Sequence, residues 1–228
     1  MKSILFIFSY FFSLNLFGQI NNNFELTKYS DTANYFEYVK PIIEKLNLIK
    51  PINNKIFFRL SSPKYYLELS KESNKYLIYA NEIWKGEKTG EIFIKQIDLS
   101  KKQVSEINSL IDSLNINDIP SGNQIKNWTS GFDGITYIFE LKNKNKYSFK
   151  NYWSPSSQEK FEESNKINFF LQKLDDIINY QKNNEEFERE VPYFNWKRDG
   201  TSWNVVKAIT KENKAEYKKY KKKKNSKL

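Results

Sequence analysis

The chain has 228 residues, with 37 Lys and Arg against 27 Asp and Glu, and contains neither His nor Cys. Those two absences exclude disulfides, thiolate nucleophiles, zinc–thiolate sites, imidazole bases, Ser-His-Asp triads and His-ligated metals, leaving carboxylate pairs and oxygen-ligated Mg²⁺ or Ca²⁺ as the accessible chemistry. The formal charge of +10 is local: residues 211–228 hold nine Lys and two Glu, so Gln19 to Thr210 carries only +2, and a basic nucleic-acid groove in the body is disfavoured.

Lys2 is the only charge in the first 24 residues, and an apolar run of about 14 residues follows from Ile4 to Phe17 before Gly18. This is the layout of a secretory signal peptide over residues 1–18, with cleavage leaving a mature start near Gln19. The run is short for the roughly 20 residues of a membrane-spanning helix. An uncleaved anchor is the first alternative, and a buried core helix a weaker one because Asn21-Asn22-Asn23 follow at once. No later segment is long enough to span a membrane, so the mature chain is expected to be exported, either periplasmic or secreted.

Residues 31–48 read as helix from the spacing of Tyr35, Tyr38, Val39, Ile42, Ile43 and Leu46, with Pro41 as a kink or a break. Short strands follow at 55–60, 65–69, 76–84 and 92–99, with turns at 71–74 and at Gly86 and Gly90, and three adjacent strands with short turns predict an antiparallel meander. Ser100 with Gln103 forms a capping box before a helix carrying Val104, Ile107, Leu110, Ile111 and Leu114. The loop 115–132 contains Pro120, Gly122 and Gly131. Ile135 to Leu141 alternates as a strand, and Lys142 to Asn145 turns the chain into a second strand through Tyr147, Phe149 and Trp153. Ser156 with Glu159 reads as a second capping box, opening a helix with Phe161, Ile167, Phe170, Leu171, Leu174, Ile177 and Ile178 on one stripe. Residues 193–206 read as a docked hairpin or a strand plus turn.

The expected fold is therefore α+β, an antiparallel sheet of about five strands with helices packed mainly on one face. The expected organisation is one domain over 19–185, a docked extension over 186–210 and a flexible lysine-rich tail over 211–228.

Gly131-Phe132-Asp133-Gly134-Ile135-Thr136-Tyr137-Ile138-Phe139-Glu140, followed by Tyr147 and by Tyr152-Trp153-Ser154-Pro155, is the most patterned stretch. It resembles a pattern in small, uncharacterised bacterial proteins, often exported: Asp-Gly, an aromatic three residues on, Glu three further, then Tyr and later Trp-Ser-Pro. In those proteins the aromatic is often Trp, whereas this chain has Tyr137. The resemblance spans roughly Ile56 to Tyr180. It implies the domain outline and export, and it carries no activity.

Asp133 and Glu140 are the weak candidates for a catalytic carboxylate pair, which would suit a hydrolase acting on a glycan or another polymer. Their separation of seven puts them on opposite faces of a regular strand, so sharing a cleft requires a bulge or bend at Gly134. The competing reading is a turn at Asp133 and a cation partner for Glu140. No acidic cluster has Ca²⁺-loop spacing and no glycine-rich loop precedes a helix, so no metal or cofactor is expected. Trp128, Tyr147, Tyr152 and Trp153, with Trp84, are the candidate ligand-stacking platform, against the alternative of an aromatic core on a small sheet. Arg59, among strand apolars in a chain that otherwise uses lysine, is expected to pair with Glu140 or Asp133. Asn127-Trp128-Thr129 matches a glycosylation sequon, a weak signal.

Lys218, Lys219, Lys221, Lys222, Lys223 and Lys224 form a run expected to be solvated and too self-repelling to pack alone. Its functional reading is weak, non-specific anion binding. The expected function is a non-catalytic binding or structural domain of the cell envelope or extracellular space, with a partner that the chain does not identify.

Overall fold

The computed structural model describes residues 25–31, 41–51, 54–84, 86–192, 194–198, 204–207, 211–212 and 214–226. The expected signal segment 1–18 lies outside them, as do residues 32–40 of the expected first helix. Residues 41–45 are helical.

The meander forms and has four strands where three were expected: β1 (Glu25–Leu26) precedes it, and then come β2 (Ile56–Ser61), β3 (Tyr66–Ser70), β4 (Asn74–Trp84) and β5 (Glu87–Asp98). Polar turn residues set the two tight corners. Ser62 Oγ accepts from the amides of Lys64 at 3.2 Å and Tyr65 at 3.3 Å. Ser70 Oγ accepts from those of Glu72 at 3.1 Å and Ser73 at 3.0 Å. Helix α1 (Lys101–Ser113) begins at the expected capping box, the Ser100 amide donating to Gln103 Oε1 and the Gln103 amide to Ser100 Oγ. Strands β6 (Thr136–Asn143) and β7 (Lys146–Trp153) form a hairpin turned at Lys144, whose φ is 55°.

The second capping box is not formed. Ser154 takes a left-handed φ of 38° and Pro155–Ser157 winds into a 3₁₀ turn. Helix α2 (Glu162–Ile177) starts later, where Ser164 Oγ accepts from the Phe161 amide. The expected stripe from Ile167 to Ile178 packs in the core, with Ile178 as the C-cap of α2, and Asn179, at φ 53°, separates α2 from α3 (Tyr180–Glu190). The chain ends in a hairpin of β8 (Phe194–Lys197) and β9 (Asn204–Lys207), then α4 (Lys214–Asn225).

The expectation of about five antiparallel strands requires correction. Nine strands join one sheet: eight follow the order β1-β7-β6-β2-β3-β4-β8-β9, and β5 pairs with β4 off that path. The pairing is mixed, because β1 runs parallel to β7. Strand β4 is long enough to pair with β3 over its first half and with β8 near its end, while β5 runs along its other side.

Helices α1, α2 and α3 pack on one face, as expected. There Phe58, Leu67, Phe139 and Tyr152 meet Ile107 of α1, Phe170 of α2 and Phe187 of α3. The opposite face is covered as well: Leu46 and Leu48 pack on Tyr66, Leu77 and Tyr79. Because α3 runs through residue 186 and buries Phe187 and Val191 in the main core, the boundary expected at 185 falls inside a helix.

Candidate functional site

Three polar assemblies contain the residues singled out from sequence. The first lies under residues 46–51 on the face opposite the three helices. In the sheet register Arg59 of β2 stands directly opposite Glu68 of β3 on one side and Glu140 of β6 on the other. All three are buried. Arg59 Nη1 donates to Glu140 Oε2 at 2.8 Å, and its Nε and Nη2 donate to Glu68 Oε1 at 3.1 and 2.7 Å. Its Nη2 also donates to the Ile49 carbonyl. The Ile49 amide reaches Glu68 Oε1 at 3.0 Å, and the Tyr147 hydroxyl donates to Glu140 Oε1 at 2.7 Å. Glu68 Oε2 has no hydrogen-bond partner among the described residues.

Arg59 thus pairs with Glu140, one of its two expected partners, and with Glu68, which the sequence did not single out. A signal for Glu68 existed: the turn at Ser62 sets Arg59 and Glu68 equidistant from the hairpin corner. Glu140 is committed to Arg59 and Tyr147, while Asp133 lies exposed in the loop before β6. The two expected carboxylates do not share a cleft.

The second assembly is the patterned corner. The ring of Trp153 lies against the backbone of the loop, so a Cβ on Gly131 would sit 2.8 Å from it and one on Gly134 2.7 Å. Ser154, in its left-handed conformation, accepts from the Ile135 amide through Oγ at 3.1 Å and donates its own amide to the Ile135 carbonyl at 2.7 Å. Trp128 donates its Nε1 proton to the Trp153 carbonyl at 3.1 Å and packs on Tyr152 and Phe161. The glycines, Trp153, Ser154 and Pro155 together form a tight strand exit. Tyr147 and Tyr152 are interior, at 1% and 0% exposure, and Trp128 and Trp153 are half-buried. The four rings do not form one exposed platform, and the corner presents Phe132 to solvent instead.

The third assembly corrects the expected flexible tail. Residues 214–225 form α4, with Glu216 in its first turn and lysines in its last, the distribution the helix dipole favours. Its lysines at i and i+4 repel, so an anchor matters. The Tyr220 hydroxyl donates to Glu82, a buried β4 carboxylate that also accepts from Thr89 Oγ1 at 2.8 Å. Tyr217 and Tyr220 are half-buried, whereas Lys218, Lys219, Lys221, Lys222 and Lys223 are exposed. Lys224 lies in the same helix.

Lys150 escaped the sequence reading. It is fully buried, and its ammonium donates to the carbonyls of Ile116 and Asn117 at 2.8 and 2.7 Å. Burial pushes it down to about 7, against the opposing pull of Asp118. Its place as the fifth residue of β7 gave no reason to separate it from the other lysines.

An open cleft of about 1080 Å³ lies between the start of β2 and α1, with Phe58, Leu69 and Leu141 on its floor and Val104 and Asn108 on its helical wall. None of the candidate residues named from sequence lines it. Among the described residues no helix is long and apolar enough to cross a membrane, and no group of three or more acidic side chains is placed to hold a metal ion. Comparison with protein-family models, with curated proteins and with solved structures finds no match to this chain.

Proposed function

We propose that the chain is an exported, non-catalytic binding domain of the cell envelope or extracellular space, and that α4 is its contact element for an anionic polymer of the envelope. The observation that carries this reading is the sidedness of α4. Its tyrosines turn inward and Tyr220 ties the helix to Glu82, while Lys218, Lys219, Lys222 and Lys223 share the outward face. A held row of point charges recognises charge density without sequence selectivity. The layout of residues 1–18 supports export, as does the resemblance of the Asp-Gly … Trp-Ser-Pro pattern to small exported bacterial proteins. In this chain that pattern builds a corner, which suits a domain outline and not a reaction. Glu140, one of the two weak carboxylate candidates, serves the Arg59 network.

Heparin affinity of the mature chain tests the proposal. Wild type is expected to bind at low salt and to lose affinity steeply as screening shortens from about 10 Å at 0.1 M toward about 3 Å at 1 M. The fourfold change of Lys218, Lys219, Lys222 and Lys223 to Gln should abolish retention with the fold intact by circular dichroism. Unchanged heparin retention by that variant would overturn the assignment to α4. Anionic vesicles binding where heparin does not would show that the contact is a lipid surface and overturn the polymer reading.

A further inference from the structure

We infer that the anionic polymer is a polysaccharide, and that Phe132 stacks on one of its sugar rings while the α4 lysines hold its charges. This rests on the reading of α4 as the contact element and adds the class of polymer to it. Phe132 stands in the loop before β6 and is fully exposed, whereas Trp128, Tyr152 and Trp153 of the same corner are buried or half-buried. The loop is pinned on both sides of it. Three residues earlier the Thr129 amide donates to Gln158 Oε1 at 2.8 Å, and Gln158 Nε2 donates back to the Thr129 carbonyl at 3.1 Å. Three residues later the Ile135 amide donates to Ser154 Oγ at 3.1 Å. Between these points Gly131 and Gly134 press on the Trp153 ring. A ring presented by a fixed backbone has little freedom left to lose on binding.

The surroundings of the ring select the ligand. Lys126, Asn127, Thr129, Ser130 and Asp133 are exposed, and no other large apolar side chain of residues 126–134 is. One apolar ring in a polar frame offers too little contiguous apolar area for the hydrophobic centre of a protein interface. Asp133, next to it, would have to be desolvated for the tip to enter a bilayer. A sugar fits both features. The C–H bonds on one face of a pyranose pack against the negative face of an aromatic ring, and its hydroxyls meet the polar neighbours. Strands β2 and β4 both run antiparallel to β3, and β6 runs antiparallel to β2, so β6 starts at the end of the sheet where β4 finishes. That puts the loop of Phe132 and Glu82, the anchor of α4, at the same end. In the order β6-β2-β3-β4 three strand spacings, roughly 14 Å, separate them laterally. A short run of sugars spans that width from the lysines to the ring.

Heparin, a sulfated polysaccharide, and polyphosphate, a polyanion without sugar rings, separate the two contributions. Phe132→Ser should weaken heparin binding by about fivefold and leave polyphosphate binding unchanged. It should also keep the wild-type slope of heparin affinity against salt, because stacking releases no counterions. Phe132→Trp should restore heparin binding. The fourfold change of Lys218, Lys219, Lys222 and Lys223 to Gln should lose both polymers. If that variant keeps both, the reading of α4 fails and this inference with it. If it loses both while Phe132→Ser binds heparin as tightly as wild type, α4 stands and the polysaccharide inference is overturned. Equal weakening of heparin and polyphosphate by Phe132→Ser would overturn it in the same way.

Discussion

Replacing Arg59 by Met would leave Glu68 and Glu140 buried on either side of β2 with no cation between them. A buried pair broken on one side strands a desolvated charge, and the expected loss is about 3–5 kcal/mol, read from urea unfolding. Converting Arg59 to Met together with Glu68 and Glu140 to Leu should cost much less, because no charge is then left uncompensated. Equal losses in the two variants would show that the network contributes shape and not charge. Lys150 makes a second residue-scale prediction, in which pH supplies the sign. Its folded ammonium titrates near about 7 against an ordinary 10.5. Between those values the unfolded chain binds more protons, so this group's contribution to stability rises with pH by up to about 1.4 kcal/mol per unit. Below pH 7 both states are protonated and the full penalty of burial remains. The stability of wild type relative to Lys150→Met is therefore expected to grow from pH 7 to pH 10, and a pH-independent difference would show that the amine is not held low.

At the scale of the element, the corner between β7 and α2 gives the Gly131-to-Pro155 stretch a structural role. The loop crosses Trp153 so closely that its glycines leave no room for a side chain, and Ser154 completes the turn with two bonds to Ile135. Gly134→Ala must displace the Trp153 ring or the loop, and is expected to cost about 1–3 kcal/mol by overpacking, seen as a lowered melting temperature. Phe132→Ser, the second residue of the same stretch but wholly exposed, should leave the melt nearly unchanged. Equal melts for both variants would mean that the loop does not press on Trp153. The same corner accounts for the late start of α2: Gln158 is bonded to the Trp153 carbonyl and to the Thr129 backbone, which holds residues 155–158 outside a regular helix.

For the whole molecule, α4 couples the charge of the tail to the stability of the sheet. The body carries +2 and residues 211–228 carry +7, so truncation at 210 should remove heparin binding. Truncation should also strip Tyr220 from the buried carboxylate of Glu82, at an expected cost of about 1–3 kcal/mol. Tyr220→Phe separates the two effects: it should reproduce much of the stability loss while keeping the lysines and the salt-sensitive binding. If truncation leaves the melting temperature unchanged, α4 is not part of the folded unit.

Periodicity, caps and turn residues in the sequence determined most elements locally. Alternation located β3 and β6, a short apolar run located β2, Ser100 with Gln103 located the start of α1, and the lone arginine in a strand pointed to a carboxylate partner, Glu140 or Asp133. These signals depend on neighbours a few residues apart, or, for Arg59, on the cost of burying a charge without a partner. What only the tertiary structure decided is which strands meet across distance and which faces are covered. The β1–β7, β2–β6 and β4–β8 pairings join segments separated by long stretches of chain, and no local pattern encodes them. A period of two says that Glu68 and Leu67 point to opposite faces, but not that residues 46–51 close over the glutamate's face and make it interior. The same holds for Lys150, whose surroundings come from the 116–118 turn, and for α4, whose repelling lysines become a helix once Tyr220 meets a carboxylate far away in sequence on β4.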